Sequence, residues 1–200
     1  MKIHHSHQQK TFKYLITYTV CLVLTLSTFL IVSPAIGQGN GELPVIKKLT
    51  IADFKGSPDE SVDYLAQTTP SISLRYSSPI NCSEAGKVKL RVETGVAISE
   101  KSWIKLSKIK NADLLNALLS HEQGHYDMGA IFSLELKKTL SAICFSKAIY
   151  KQQVDSVFKS MYARYDLLQR AYDSDTDHMR NKAMQIKWKQ RIAAMWKDKL

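Results

Sequence analysis

The chain carries the stretch His121-Glu122-Gln123-Gly124-His125 inside a long segment whose apolar residues recur at helical spacing. Two imidazoles four positions apart on a helix differ by about 40° in rotation and by about 6 Å along the axis, so one ion can bind both. This is the H-E-x-x-H arrangement of zinc hydrolases, in which the intervening carboxylate takes a proton from a zinc-bound water. The stretch therefore predicts a Zn²⁺ site with His121 and His125 as ligands and Glu122 as general base.

The periodicity around the motif predicts that both histidines face the interior of the protein. Steps of three and four connect the residues of one stripe, which are Leu114, Leu118, His121, His125, Met128, Phe132 and Leu136. The alternative is a pair of buried, hydrogen-bonded core histidines with no ion. Gly124 favours the metal site over the pair of core histidines. A glycine inside a helix costs about 1 kcal/mol relative to alanine and usually marks the close approach of another group.

Hydrophobic patterning divides the rest of the chain into a strand-rich part and a helical part. Residues 43–98 alternate between apolar and polar side chains, which predicts half-exposed strands, with shorter candidates at 45–52 and 71–76. No proline follows Asn111, and three helices are predicted there: 113–143, a second from about 147, and a basic terminal helix. We therefore expect an α+β fold, zincin-like, in which an N-terminal antiparallel sheet is followed by three helices and the first long helix carries the motif.

The first 37 residues have the features of an export signal. Lys2, Lys10 and Lys13 precede a mostly apolar, uncharged run over residues 15–32, and small residues follow at Ala35-Ile36-Gly37. An uncleaved membrane anchor is the alternative. We expect residues 38–200 to form a single domain, secreted or periplasmic. Cys82 and Cys144 are the two cysteines of that domain, and a disulfide between them is predicted over two separate buried thiols.

The C-terminal segment is strongly basic. Residues 179–200 carry seven lysines and arginines against Asp198 alone. Apolar residues recur there at helical spacing: Met184, Trp188, Ile192 and Met195. This pattern predicts a terminal helix that docks by its apolar face and exposes its basic face. Association of that face with an anionic envelope surface is a second interpretation, and nucleic acid is not expected as a partner of an exported protein.

A catalytic zinc needs a third protein ligand. The metzincin pattern would place glycine and histidine where the chain has Met128 and Ile131, and this form is therefore excluded. Asp127 lies about 200° round the helix from His125, on the wrong face to bind, so it is interpreted as a supporting partner of the site. Glu135 lies about 15 Å further along the helix axis.

The remaining candidates for the third ligand lie at residues 172–178, between the second and third helices. His178 is our choice, because neutral imidazole is the commonest zinc ligand and a chain reversal there can return it to the motif helix. Asp173, Asp175 or Asp177 could substitute, and His178 could instead cap the terminal helix. A calcium loop is excluded, because His178 and Met184 stand where that loop needs glycine and glutamate.

The chain resembles the bacterial domain-of-unknown-function family 922, whose members are described as predicted secreted zinc-dependent proteases. The matching stretches are Asp53-Phe54-Lys55-Gly56-Ser57-Pro58-Asp59, Ser102-Trp103, Leu114-Leu115 through Asp127, and Tyr172-Asp173 with Thr176 and His178. The resemblance implies secretion, zinc and a peptidase-like role, and supports His178 as a metal-site residue. The family is expected to prefer glycine at position 179, where this chain has Met179.

These observations together predict a secreted or periplasmic zinc-dependent metallopeptidase that acts on a peptide or protein substrate. Tyr172 is expected either to donate a hydrogen bond to the developing oxyanion or to be a core tyrosine of the second helix. Two other functions fit the same residues: a cell-wall amidase using the same zinc, and a non-catalytic envelope protein with a structural or vestigial metal site.

Overall fold

Three helices follow a strand-rich region in the computed structural model, which describes residues 47–77 and 80–198. The helices are α1 (Ala112–Ala142), α2 (Tyr150–Thr176) and α3 (Lys182–Lys197). The strands are β1 (Ala66–Gln67), β2 (Pro70–Tyr76), β3 (Ile80–Asn81), β4 (Lys87–Lys89), β5 (Val92–Ile98), β6 (Trp103–Ile104) and β7 (Phe145–Ser146). The predicted α+β class is confirmed, while the zincin-like detail stays a prediction. The export signal expected at residues 1–37 lies outside the described residues.

The strands form three small antiparallel sheets where one was expected. β1 pairs with β6, β2 pairs with β5, and β4 lies between β3 and β7. The strand predicted at 71–76 is confirmed within β2, whose alternate residues Ile72, Leu74 and Tyr76 pack on the main core. The strand predicted at 45–52 is wrong over its described part, because Ile51–Asp53 form a 3₁₀ turn. The Asp53 carboxylate accepts the Thr50 backbone N–H at 2.8 Å, which satisfies a donor that a strand would give to a neighbour.

The motif helix lies across the β2–β5 hairpin. Asn111 caps its N-terminus by accepting the Leu114 N–H at 2.9 Å. The threonine hydroxyl of Thr94 donates to the Ser133 carbonyl at 2.7 Å, which ties β5 to the helix. Buried residues of all three helices and of β4, β5 and β7 form the main core, with Leu136 and Leu140 fully buried.

The terminal helix α3 docks by its apolar face, as predicted. Trp188 and Ile192 are buried, and the Asn181 side chain caps the helix N-terminus by accepting the Met184 N–H at 3.2 Å. The basic side chains of α3 are exposed, and the Arg191 guanidinium lies 4.5 Å from the centre of the Trp188 ring. Within residues 47–77 and 80–198, no helix is long and apolar enough to cross a membrane.

The predicted disulfide between Cys82 and Cys144 is present and joins the region after β3 to the segment between α1 and β7. Helix α2 approaches α1 at Gly124, where an added Cβ would lie 2.5 Å from the Tyr172 hydroxyl. The close approach that Gly124 indicated in the sequence is therefore confirmed, and Tyr172 is the approaching group.

Removing the disulfide should destabilise the fold. The bond closes a loop with a sequence separation of 62 residues, and a loop of that size constrains the unfolded chain by about 4 kcal/mol in the chain-entropy model. We expect the Cys82→Ala, Cys144→Ala double variant to lose about that much free energy of unfolding in urea titrations. Reduced wild-type protein is the control and should unfold at the same urea concentration as the variant. A loss below about 1 kcal/mol would contradict the prediction.

Gly124→Ala should be destabilising even though alanine favours helix. The new methyl group would overlap the phenol of Tyr172, and overpacking of this kind typically costs about 1–3 kcal/mol. Thermal and urea unfolding measure the change. The matched control is Ser120→Ala on an exposed position of the same helix, which should stay within about 0.5 kcal/mol of wild type. Equal stability of the two variants would show that the two helices are not in contact at Gly124.

Candidate metal centre

Three side chains from two helices meet at one point. His121 and His125 are buried on α1, with their Nε2 atoms 3.3 Å apart. The Asp173 Oδ1 atom on α2 lies 3.2 Å from His121 Nε2 and 2.9 Å from His125 Nε2. A fourth donor, His178 Nδ1, lies 3.4 Å from the same carboxylate oxygen. The ligand atoms of His121, Asp173 and His178 all lie within 4.8 Å of one another.

The spacing of these atoms fits a small divalent ion. Donors bonded at about 2.0–2.1 Å to a tetrahedral zinc are separated from each other by about 3.3 Å. The three distances among His121, His125 and Asp173 are 3.3, 3.2 and 2.9 Å, which is close to that triangle. Two imidazoles and one carboxylate are also a normal donor set for zinc. The residues present therefore fit the ion that the sequence predicted.

Two glutamines set the orientation of the paired imidazoles. Gln185 Oε1 on α3 lies 3.0 Å from His121 Nδ1, and Gln169 Oε1 on α2 makes a short hydrogen bond with His125 Nδ1. An amide oxygen can only accept, so each Nδ1 carries a proton, and the neutral form of each imidazole presents the lone pair of Nε2 to the common point. Gln169 is itself fixed, because its Nε2 donates to the His125 carbonyl at 3.0 Å. Histidines that bind metal usually have this kind of partner.

Glu122 is a buried carboxylate beside the cluster. Its side chain is 2% exposed, and its Oε2 atom has no hydrogen-bond partner among the residues that the structure describes. A buried carboxylate oxygen without a donor is costly, and such an atom is expected to meet a water or an ion in the working protein. Glu122 directly follows His121 on α1, and its negative charge contributes to raising the pKa of His125.

The Tyr172 ring stacks on the imidazole of His121. The two rings are stacked at 4.6 Å, and the tyrosine is fully buried. Its hydroxyl donates to the His121 carbonyl at 3.1 Å and accepts from Gln185 Nε2 at 2.5 Å. Burial raises the pKa of the phenol, despite the opposing effect of the Gln185 hydrogen bond, so it remains a neutral donor. The hydroxyl is occupied by these two bonds, which favours the core-tyrosine interpretation over a role at the oxyanion.

His178 reaches the cluster through an unusual stretch of backbone. Asp177, His178 and Met179 have φ values of 46°, 48° and 78°, in the left-handed region that L-residues rarely adopt. Met179 is the position at which the resemblance led us to expect glycine, and glycine enters this region without steric cost. Backbone bonds hold the turn, including His178 N–H to the Asp173 carbonyl at 3.1 Å and Asn181 N–H to the Thr176 carbonyl at 2.8 Å.

The two variable positions of the motif also have defined partners. Gln123 accepts the Leu49 N–H at 2.7 Å and donates to the Lys47 carbonyl at 3.0 Å, so it fixes the described N-terminal segment to α1. Its amide also donates to Asp127 Oδ1 at 2.7 Å. Asp127 thus contacts a motif residue, which agrees with the supporting role inferred from its helical phase. Gly124 admits Tyr172, as described above.

The electrostatics of the cluster favour positive charge. Burial alone would lower the pKa of His125, but the hydrogen bond and charge of Asp173, the charge of Glu122 and the bond with Gln169 together raise it to about 9. Burial would raise the pKa of Asp173, yet the hydrogen bonds with His121 and His125 and the charges of His125 and His178 hold it well below its usual range. A site that stabilises a protonated imidazole beside two carboxylates also stabilises a divalent cation.

A groove of about 470 Å³ lies further along α1, between α1 and α2. It begins at Met128, one helical turn beyond His125, and none of the cluster residues lines it. Its lining is mainly apolar, with Glu135, Lys138 and Arg164 among its polar residues. The metal centre is therefore separate from this groove.

The structure brings together the proposed ligands His121, His125 and His178 with Tyr172, one of the two catalytic candidates, and buries the other, Glu122, next to His121 on α1. Asp173, named only as a substitute, contributes the carboxylate oxygen that contacts Nε2 of both α1 imidazoles. Sequence reasoning missed Gln169 and Gln185. Gln169 lies four residues before Asp173 on one face of α2, and this spacing could have indicated it. No local pattern points to Gln185, since it comes from a different helix.

A family model described as "Bacterial protein of unknown function (DUF922)" matches residues 48–179. The match includes the motif helix, Asp173 and His178, and ends before α3. No curated protein and no solved structure matches the chain significantly. The family description assigns no activity, so the chemistry must be argued from the side chains. Since the matched segment covers well over half of the chain, this protein belongs to the bacterial DUF922 family.

Proposed function

We propose that the protein is a zinc-dependent hydrolase acting on peptide or related amide bonds. The observation that carries this proposal is the convergence of His121, His125 and Asp173 at the mutual distances of zinc ligands, next to a buried carboxylate oxygen of Glu122 without a partner. His178 is the fourth donor of the proposed site. It is about one-third exposed, whereas His121 and His125 are almost completely buried.

Each residue has a distinct role in the proposed mechanism. A bound zinc would polarise the scissile carbonyl and lower the pKa of a water towards about 7. Glu122 accepts the proton of the attacking water and later passes it to the leaving amine. Gln169 and Gln185 keep the two imidazoles in the tautomer with Nε2 free. The Tyr172 ring stacks on the His121 imidazole, and its hydroxyl fixes the backbone by donating to the His121 carbonyl.

His178 is the donor best placed to give way to substrate. It lies on the exposed side of the cluster and its backbone is in the left-handed region. A catalytic zinc keeps one position for water or substrate, while a zinc with four permanent protein ligands is typical of a structural site. If His178 exchanged for substrate, His121, His125 and Asp173 would be the three residues that hold the zinc.

The presence of four converging donors favours a second candidate, a metal site that only stabilises an envelope protein. In that case all four ligands stay bound and Glu122 has no chemical role. A cell-wall amidase with the same catalytic residues is a variant of the first proposal and differs only in substrate. The disulfide supports export to an oxidising compartment, secreted or periplasmic, in each case.

Metal content should depend on the cluster residues in a graded way. We expect wild-type protein to hold about one zinc per chain after dialysis, as measured by elemental analysis. His121→Ala, His125→Ala and Asp173→Ala should lose it, and His178→Ala should bind with lower affinity but retain a site. Asp166→Ala is the matched control, because Asp166 pairs with Arg170 on the exposed surface of α2. Zinc retained in the Asp173→Ala variant, or iron in place of zinc, would overturn the proposed site.

Glu122→Gln separates catalysis from metal binding. The amide is nearly isosteric but cannot accept the proton, and loss of a general base typically costs about 10²–10⁴-fold in rate. We expect the variant to keep its zinc and to lose at least a hundredfold in kcat on a panel of peptides and peptidoglycan fragments. Glu135→Gln on the same helix is the control and should keep full activity. Equal turnover by the Glu122→Gln variant and wild type would leave the structural-metal interpretation.

A further inference from the structure

The His178 imidazole is one end of a stack of three rings. Tyr64 lies 4.5 Å from it with an interplanar angle of 16°, and Trp103 lies 5.7 Å from Tyr64 with an angle of 15°. Trp103 is buried, and Tyr64 is half-buried between the two other rings. The only polar side-chain contact described for the imidazole is the one at 3.4 Å to Asp173. The stack is therefore the main restraint on the plane of the ring.

The segment that carries Tyr64 is held on both sides by one lysine. The Lys105 backbone N–H donates to the Leu65 carbonyl at 2.8 Å, and the Lys105 ammonium donates to the Val62 carbonyl at 2.5 Å. That ammonium is buried and lies 5.5 Å from the centre of the Trp103 ring. Charge–ring attraction of this kind is stronger when the cation is removed from water. Tyr64 is thus presented to His178 from a fixed support.

A second contact joins the Tyr64 segment to the turn that carries His178. The Arg180 guanidinium, two residues after His178, lies 3.0 Å from the carboxylate of Asp63, which precedes Tyr64. Met179, Leu65 and Phe54 pack against a small second core formed by Ala66, Ile104 and Leu118. Left-handed backbone is unfavourable for L-residues, so it persists only where neighbouring contacts require it. The Arg180–Asp63 ion pair and the stacking of His178 on Tyr64 are such contacts.

We propose that Tyr64 is a positioning residue for the metal site: its ring, supported by Trp103, holds the His178 imidazole in the orientation in which Nδ1 faces the ion. This inference rests on the proposed function only in requiring that the cluster binds zinc. It assigns a role to a residue that contributes no ligand atom and comes from the strand-rich half of the chain. The phenol hydroxyl is not needed for this role, since stacking depends on the ring.

The test is the zinc affinity of wild type and four variants, measured by competition with a chromophoric chelator. Tyr64→Leu, which lacks the ring, should bind zinc about tenfold to a hundredfold more weakly than wild type, the usual effect of removing a residue that orients a ligand. Tyr64→Phe, which keeps the ring, should bind within about twofold of wild type. In the His178→Ala background the Tyr64→Leu change should have no additional effect, because its target is already absent.

Controls separate positioning from general destabilisation. Tyr150→Leu removes a half-buried tyrosine at the start of α2 and should not change zinc affinity. Thermal unfolding of the metal-free proteins shows whether Tyr64→Leu is folded, and Tyr64→Met provides a second ringless variant of similar volume. Because Tyr64 is only half-buried, both variants are expected to fold.

The outcomes separate failure of this inference from failure of the proposed function. Unchanged affinity of the ringless variants, equal weakening by Tyr64→Phe, or further weakening of the His178→Ala protein by Tyr64→Leu would overturn the role of Tyr64. Wild-type affinity of His178→Ala would overturn it as well. Absence of zinc from wild-type protein would instead overturn the metal site itself. Full turnover by Glu122→Gln would remove the hydrolase proposal and leave the role of Tyr64 in metal binding intact.

Discussion

One carboxylate oxygen organises the centre of this protein. Asp173 Oδ1 lies within 3.4 Å of a nitrogen of His121, His125 and His178, which come from α1 and from the turn after α2. Three imidazoles cannot contact one half-buried carboxylate oxygen unless α1, α2 and the turn are held in register. Gln169 on α2 and Gln185 on α3 bond the Nδ1 atoms of His125 and His121, so α3 is held in the same arrangement. The packing of the three helices and the geometry of the site are therefore set together.

Local sequence contained enough information to predict the helical half of the site. The spacing of His121 and His125 and their phase with Leu118 and Met128 fix a shared buried face, because helical geometry leaves no alternative. The predicted helix 113–143 differs from α1 by one residue at each end. The disulfide could be predicted for a similar reason, since Cys82 and Cys144 are the two cysteines after the apolar N-terminal run.

Contacts between distant segments could not be read in the same way. Gln185 supports His121 across 64 positions of sequence, and Tyr64 reaches His178 across an even longer separation. No periodic pattern connects such residues, because their approach depends on how whole elements dock. The failed strand at 45–52 has a more local cause: the Asp53 side chain satisfies the backbone of Thr50 and replaces strand pairing by a turn. His178 was ranked above Asp173 because imidazole is the commonest zinc ligand, whereas the contact of Asp173 with both α1 imidazoles depends on how α2 docks against α1.

The left-handed turn at residues 177–179 determines when during folding His178 can join the other donors. Because the relaxed chain avoids this conformation, the helices alone are not expected to bring His178 to the centre; the segment around Tyr64 must first dock against them. A nascent or partly unfolded chain therefore holds at most an incomplete set of donors. Assembly of the last donor is coupled to completion of the fold, so the full cluster of four donors forms only once the strand-rich half has docked against the helices.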